Sequence, residues 1–99
     1  AVSGSGPAYV FLLIEALEAA GIAAGLPADL AARLARATVT GSGALAAISP
    51  DRPAKLRADV TSPGGTTAAA LSVLMAKDDL TDLMRREIHA ARKRAEELR

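Results

Sequence analysis

The stretch TSPGGTT, residues 61–67, decides how the rest of the chain is arranged. It separates two segments, residues 53–60 and 68–76, whose apolar spacing predicts short helices. Pro63 ends a helix that arrives from the first segment and favours an extended conformation in the residue before it. The two glycines that follow allow positive φ and a close approach of the backbone to a ligand. The sequence therefore predicts a tight turn between two helices.

This turn has two interpretations. The helix after it is expected to start within a residue or two of Gly65, and its first N–H groups then have no intrahelical partner. Together with the positive end of the helix dipole, they form a receptor for a carboxylate or a phosphate. The hydroxyls of Thr66 and Thr67 either donate to the bound group or cap the helix. The alternative is a well-capped helix turn without a ligand.

The remaining sequence predicts an all-α domain of about five helices. Ser5 or Gly6 is the expected N-cap of the first helix, since Pro7 suits the first helical position. Gly25 is expected to close that helix. The predicted helices span residues 6–24, 29–49, 53–60 and 68–76, and the fifth runs from Asp78 or Asp79 to the end. No stretch has the period-two pattern of a strand.

The first helix predicts a subunit interface. Residues 9–14 are apolar on every side, and only Glu15 and Glu18 interrupt the apolar run that follows. A helix that is apolar all round has to be enclosed, and a chain of 99 residues has little material with which to enclose it. We therefore expect a homodimer. The alternative is a central helix in a monomeric bundle.

The second helix contains GSGALA, residues 41–46, which has the G-x-G-x-x-A form of a dinucleotide fingerprint. No strand–turn–helix context surrounds it, and it lies inside an apolar helical stripe. We interpret its small residues as a surface on which another helix packs closely. The stripe consists of Leu30, Leu34, Ala37, Gly41, Leu45 and Ile48.

The last helix has an apolar stripe and a charged face. The stripe consists of Leu80, Leu83, Met84, Glu87, Ile88, Ala91, Ala95 and Leu98. The charged face carries six basic residues with Asp82, Glu96 and Glu97 among them. A nucleic-acid surface and a solvated face with i,i+4 ion pairs both fit this pattern, and the lack of aromatic residues favours the second. We expect no nucleic-acid partner, and His89 is expected at the surface.

Composition narrows the function classes. The 99 residues are 51% hydrophobic, carry 12 basic and 11 acidic side chains, and include no cysteine. We expect one domain, an intracellular setting and no metal site, since His89 is the only histidine. The uncharged runs, residues 1–14, 37–50 and 61–76, are shorter than the roughly 18 apolar residues of a membrane span, so we expect no transmembrane helix. Because the sequence begins without methionine, we expect it to be cut from a longer protein.

Three motifs, SGSGPAY at 3–9, GLP at 25–27 and VTSPGGTT at 60–67, closely resemble the C-terminal domain of pyrroline-5-carboxylate reductase. The resemblance covers essentially the whole chain. It implies an intertwined dimeric bundle like the C-terminal domain of 6-phosphogluconate dehydrogenase. It also implies reduction of 1-pyrroline-5-carboxylate to L-proline with NADPH or NADH, the last step of proline biosynthesis. In that family an N-terminal Rossmann domain, absent from this chain, binds the nucleotide.

The resemblance also implies roles for individual residues. The substrate carboxylate is held by the turn at Ser62, Gly64, Gly65, Thr66 and Thr67. Backbone N–H groups near 65–67 bind it, and the Thr67 hydroxyl bonds the ring nitrogen. Whether Thr67 delivers a proton or positions a protonated iminium stays open. The 3–9 segment is expected to face the same cleft.

Two hypotheses of different classes follow. In the first, the chain is the dimerisation and substrate-binding half of a cytoplasmic reductase and is inactive alone. In the second, it is a stand-alone dimerisation module that keeps the turn without catalysis. The loop at 49–53 departs from the Gly-Glu-His-Pro type expected in relatives, so no role is transferred to it. The choice of NADPH or NADH and any assembly beyond the dimer are undetermined.

Overall fold

The computed structural model describes residues 2–99, and helices are the only regular secondary structure over that range. Its α-helices are α1 (Val2–Ala23), α2 (Ala28–Ile48), α3 (Pro53–Asp59), α4 (Thr66–Leu74) and α5 (Asp79–Glu97). A single 3-10 turn, Ala76–Asp78, precedes α5. The predicted all-α class with five helices is confirmed. The described chain divides into two compact units, residues 3–50 and residues 51–99 together with Val2.

The first unit is a helical hairpin of α1 and α2. Gly25, with φ of 107°, lies just beyond α1 as the sequence predicts. The Leu26 N–H donates to the Gly21 carbonyl and the Gly25 N–H to the Ile22 carbonyl, both at 3.0 Å. These two bonds form a Schellman motif, which requires a residue with positive φ and therefore favours glycine.

Small residues hold the hairpin together. Ala31 and Ala35 on α2 are the only buried residues in the described chain. A Cβ placed on Gly21 of α1 would lie 3.4 Å from the Ala31 Cβ, so the two helices approach closely. In contrast, Leu45 is 48% exposed and Ile48 82% exposed. Much of the predicted stripe of α2 is thus left uncovered.

The start of α1 differs from the prediction. The helix begins at Val2, and Pro7 lies inside it. Proline lacks an N–H, so the Ser3 carbonyl loses its usual i+4 donor, but Ser3 is exposed and water can take the place of that donor. The motif at 3–9 thus lies inside α1, and neither Ser5 nor Gly6 is its N-cap.

The length of α1 bears on the expectation about membrane spans. The uncharged run is short, but the helix continues through Glu15 and Glu18 to 22 residues. By length and composition it could cross a membrane, although the core helix of a soluble protein meets the same two criteria. None of its residues is buried within the chain.

The second unit contains α3, α4 and α5. It has no fully buried side chain, and its most covered apolar residues, such as Leu56, Leu71 and Ile88, are only half-buried. The charged face of α5 carries ion pairs between residues three or four apart. They are Asp82–Arg85, Asp82–Arg86, Arg92–Glu96 and Arg94–Glu97, at 2.9 to 3.6 Å. This face is a solvated one with local ion pairs.

Candidate functional site

The turn between α3 and α4 is a hydrogen-bonded β-turn. The Gly65 N–H donates to the Ser62 carbonyl oxygen at 3.1 Å. Pro63 and Gly64 occupy its two central positions, and Gly64 has φ of 69°. Proline followed by a residue with positive φ is the pattern of a type II turn. The local sequence is thus sufficient to specify the conformation.

The end of α3 fixes where this turn begins. The Thr61 hydroxyl donates to the Arg57 carbonyl oxygen at 2.6 Å, and the Thr61 N–H donates to the Ala58 carbonyl oxygen at 3.1 Å. These bonds satisfy carbonyl groups at the C-terminal end of α3 that have no intrahelical partner. The chain therefore enters the turn from an anchored helix end.

The first turn of α4 presents free backbone donors. Gly65 is the N-cap residue, and the first bond across the helix start runs from the Ala69 N–H to the Gly65 carbonyl oxygen at 3.2 Å. In the described chain the N–H groups of Thr66, Thr67 and Ala68 have no backbone acceptor. They are the three orphan donors of a helix N-terminus and share the positive end of its dipole. This geometry suits an anion.

One predicted donor is already used. The Gly65 N–H, which the resemblance places among the carboxylate donors, is bonded to Ser62. The donor set therefore shifts by one residue, from 65–67 to 66–68. The signal was present in the sequence, because proline followed by glycine favours a type II turn, whose i to i+3 bond uses the N–H of the residue after the glycine.

The side chains of the turn differ in exposure. Ser62 and Thr66 are exposed, whereas Thr67 is half-buried. Neither threonine caps α4, since its N-terminus has no side-chain capping bond. The capping interpretation of the two hydroxyls is therefore wrong. Thr67 and Leu71 are four residues apart on α4 and both are half-buried, so the Thr67 side chain lies on the partly covered face of the helix.

The two glycines meet different requirements. Gly64 needs its positive φ, although a Cβ there would have open space around it. Gly65 has an extended conformation, with φ of −88° and ψ of −173°, that any residue adopts. A Cβ on Gly65 would lie 3.3 Å from the Ser62 carbonyl oxygen, which is tight. A close approach, and not the dihedral angles, therefore favours glycine at position 65.

Other sequence candidates lie outside this site. The fingerprint-like residues 41–46 are inside α2, and residues 2–99 contain no strand to support a dinucleotide turn. His89 is exposed on α5, as predicted. Over the same range no three acidic, histidine or cysteine side chains come together as a candidate metal site.

Comparison with known proteins gives consistent matches. Residues 1–98 match the family described as pyrroline-5-carboxylate reductase dimerisation. A pyrroline-5-carboxylate reductase from Pisum sativum is 50% identical over 97 residues, 98% of this chain and 35% of that protein. One from Mycobacterium leprae is 47% identical over 116 residues, 100% of this chain and 39% of that protein.

A solved structure agrees with the sequence matches. The Plasmodium falciparum pyrroline carboxylate reductase, determined with NADP bound, superposes with a TM-score of 0.83 and 36% identity. The match covers 93% of this chain and 37% of that one. The chain thus spans between a third and two fifths of the length of these relatives.

Proposed function

The chain belongs to the pyrroline-5-carboxylate reductase dimerisation family, and from that premise we propose that it is the dimerisation and substrate-binding part of such a reductase. The parent enzyme reduces 1-pyrroline-5-carboxylate to L-proline with NADPH or NADH, in the cytoplasm. The observation that carries the proposal is the N-terminus of α4, where three adjacent N–H groups lack a backbone acceptor. A substrate carboxylate is the anion that these donors would bind.

The turn would act by binding and orienting the substrate. The N–H groups of Thr66, Thr67 and Ala68 hold the carboxylate. Gly65 packs closely on Ser62 and has no side chain that would block the carboxylate from these donors. The Thr67 hydroxyl bonds the ring nitrogen. A carboxylate fixed in this way presents the imine carbon in one orientation, which lowers the entropic part of the barrier.

The cofactor is assigned to a part of the parent protein outside residues 2–99. Those residues contain no strand–turn–helix dinucleotide site, so they do not fit a nicotinamide nucleotide. When bound, such a nucleotide supplies hydride. The 99-residue chain is therefore proposed to be inactive alone.

The proposed partner of this chain is a second copy of itself, in an intertwined dimer. Phe11, Leu12 and Leu13 on α1 are 63%, 64% and 51% exposed. Three consecutive large apolar residues point in different directions around a helix, so one flat surface does not cover them. A partner helix that interlocks with α1 would cover all three residues.

The decisive experiment uses the protein expressed from its complete coding sequence. We expect it to oxidise NADPH when 1-pyrroline-5-carboxylate is added. Thr67→Ala should lower kcat by about 10-fold to 100-fold, the worth of one hydrogen bond to a charged group. Ser72→Ala is the matched control, because its hydroxyl is exposed on the same helix and bonds only the Ala69 carbonyl.

Two results would contradict the proposal. A wild-type kcat in Thr67→Ala would remove the role of this hydroxyl. Absence of any turnover by the complete protein would favour the stand-alone dimerisation module, which keeps the turn without the chemistry.

A further inference from the structure

Glu87 is the one charged residue on the apolar stripe of α5. The residues three and four positions away from it along the helix are Leu83, Met84, Ala90 and Ala91. Side chains at these distances are the neighbours of Glu87 on the helix surface, and none of them is charged. On the charged face, in contrast, Asp82 pairs with both Arg85 and Arg86. Helix α5 therefore neutralises its other face by local ion pairs but not Glu87.

The Glu87 carboxylate is partly enclosed without a partner. Its Oε2 atom is out of reach of water and has no hydrogen-bond partner. No other side-chain oxygen or nitrogen in residues 2–99 is buried in this way. A carboxylate oxygen that loses water without gaining a donor costs free energy, and buried polar side chains nearly always have a partner. The single chain thus leaves this acid incomplete.

The stripe around Glu87 is itself uncovered. Leu80, Leu83 and Met84 are 46%, 48% and 41% exposed. Such an apolar face needs cover, and the proposed partner of this chain is a second copy of itself. A molecule that covers the stripe also covers Glu87, and a covered charge without an opposite charge is strongly destabilising. The covering surface is therefore expected to carry a cation.

The chain has cations to spare for this role. Of its 12 basic side chains, six lie on the charged face of α5, and Lys55 pairs with Asp59 at 2.9 Å. The others form no ion pair within residues 2–99. They are Arg33, Arg36, Arg52, Arg57 and Lys77. A second copy can thus supply the charge that Glu87 lacks.

We propose that the Glu87 carboxylate accepts hydrogen bonds from a basic side chain of the second copy, one of these five. The inference rests on the dimer of the proposed function and adds a specific contact to it. In a symmetric dimer the contact occurs twice. An alignment of the two chains that left Glu87 covered and unpaired would be disfavoured, so the contact also selects how the chains align.

The test is the dissociation constant of the dimer, measured by sedimentation velocity with fluorescence detection on the protein expressed from its complete coding sequence. Glu87→Gln keeps the shape and removes the charge, so it should weaken the dimer by at least about tenfold. Glu87→Lys places like charges together and should weaken it by about a hundredfold or more. Glu97→Gln is the matched control, because Glu97 is exposed and pairs with Arg94 of its own helix. It should dimerise like the wild type.

A charge exchange identifies the cation and separates this contact from a failure to fold. Glu87→Lys is combined with a change to glutamate at each of the five basic positions in turn. In one of these double variants both copies carry the exchanged pair, and its dissociation constant should return to within about tenfold of the wild-type value. The same basic residue changed to glutamate alone should weaken the dimer as Glu87→Lys does.

Several outcomes would overturn the inference. A tighter dimer in Glu87→Gln would mean that the second copy covers Glu87 without a cation. Wild-type affinity in both Glu87 variants would mean that it is not covered, and the failure of every charge exchange would exclude the five basic residues. These results leave the dimer intact, whereas a monomeric wild type would overturn the dimer and this contact together.

Discussion

Gly64 determines the backbone of the α3–α4 turn. Its φ of 69° is unfavourable for an L residue, while the space around it is open. Gly64→Ala should therefore lower the free energy of unfolding by about 1–2 kcal/mol through backbone strain alone. Urea denaturation measures this. Gly43→Ala in α2 is the control of opposite sign, since it has open space and a helical backbone and should gain up to about 1 kcal/mol.

Gly65 should respond differently from Gly64. A larger side chain there meets the Ser62 carbonyl oxygen and not a dihedral restriction. In the complete protein, Gly65→Val should raise the KM for 1-pyrroline-5-carboxylate more than it lowers kcat, because the displaced turn no longer presents its donors to the carboxylate. Steady-state kinetics separates the two constants. A wild-type KM would show that the carboxylate binds elsewhere.

Lys77 is a second strained position. It has φ of 52° and ψ of 29° within the 3-10 turn. Lys77→Gly should relieve about 1–2 kcal/mol of strain and lose about 0.4–1 kcal/mol to the greater freedom of the unfolded chain, so we expect a net gain in stability. Thermal unfolding checks the sign. Ala76→Gly, one residue earlier without positive φ, should lower the melting temperature, and a fall in both variants would contradict this explanation.

Among the helices, local sequence signals predicted where a helix ends better than which of its faces is buried. Gly25 permits a positive φ and Pro63 fixes its own φ, in both cases through covalent structure, so their effects could be read from the sequence. The start of α1 was missed because Pro7, the sixth residue of the helix, lies in its second turn, where its missing N–H leaves only the Ser3 carbonyl without its usual donor. The position of the turn was predicted from local sequence, and the Pro63–Gly64 pair also carried the signal for the turn bond that uses the Gly65 N–H.

Faces depend on what packs against them. The stripe of α2 is periodic, yet Leu45 and Ile48 are exposed and the buried residues are Ala31 and Ala35. Periodicity identifies a face that needs cover but not the element that covers it. The small-residue surface predicted at 41–46 has open space around Gly41 and Gly43 in the described chain, and the close approach of α1 and α2 is instead at Gly21 and Ala31. The faces left uncovered are the ones available to a second chain.

Helix α1 gives the sharpest test of that interface. Leu12→Glu places a charge where 64% of the leucine is exposed in one chain and would be buried in the proposed dimer. An unpaired buried charge is costly, so the variant should dissociate at concentrations where the wild type is dimeric. Light scattering after size-exclusion chromatography gives the mass. Lys93→Glu on the charged face of α5 should stay dimeric, and a dimeric Leu12→Glu would place the interface elsewhere.

At the scale of the whole molecule, the amount of exposed surface calls for a partner. The chain exposes 7902 Å². Two separate compact bodies of about 5 kDa each would together expose only about 6,400 Å², so each chain has an excess of about 1,500 Å². Two chains that covered this excess would bury roughly 3,000 Å², within the range of about 2,000–5,000 Å² found for obligate homodimers.

The lack of a core supports the same conclusion. Only two alanines are buried in the described chain, and no large side chain is. Burial of large apolar side chains is the main favourable term in folding, and each contributes about 1.5–3 kcal/mol. A single chain that buries none of them has little to offset its conformational entropy. Folding and association are therefore expected to be one event.

Sedimentation equilibrium of the 99-residue chain tests this coupling. We expect a mass near twice 10.1 kDa over a wide range of concentrations. The midpoint of thermal unfolding should also rise with protein concentration, because dissociation and unfolding are linked by mass action. A helical monomer with a concentration-independent midpoint would mean that α1 is enclosed within one chain. A second chain would then not be needed to cover it, which would contradict the proposed dimer. A dimer whose midpoint did not depend on concentration would instead separate association from folding.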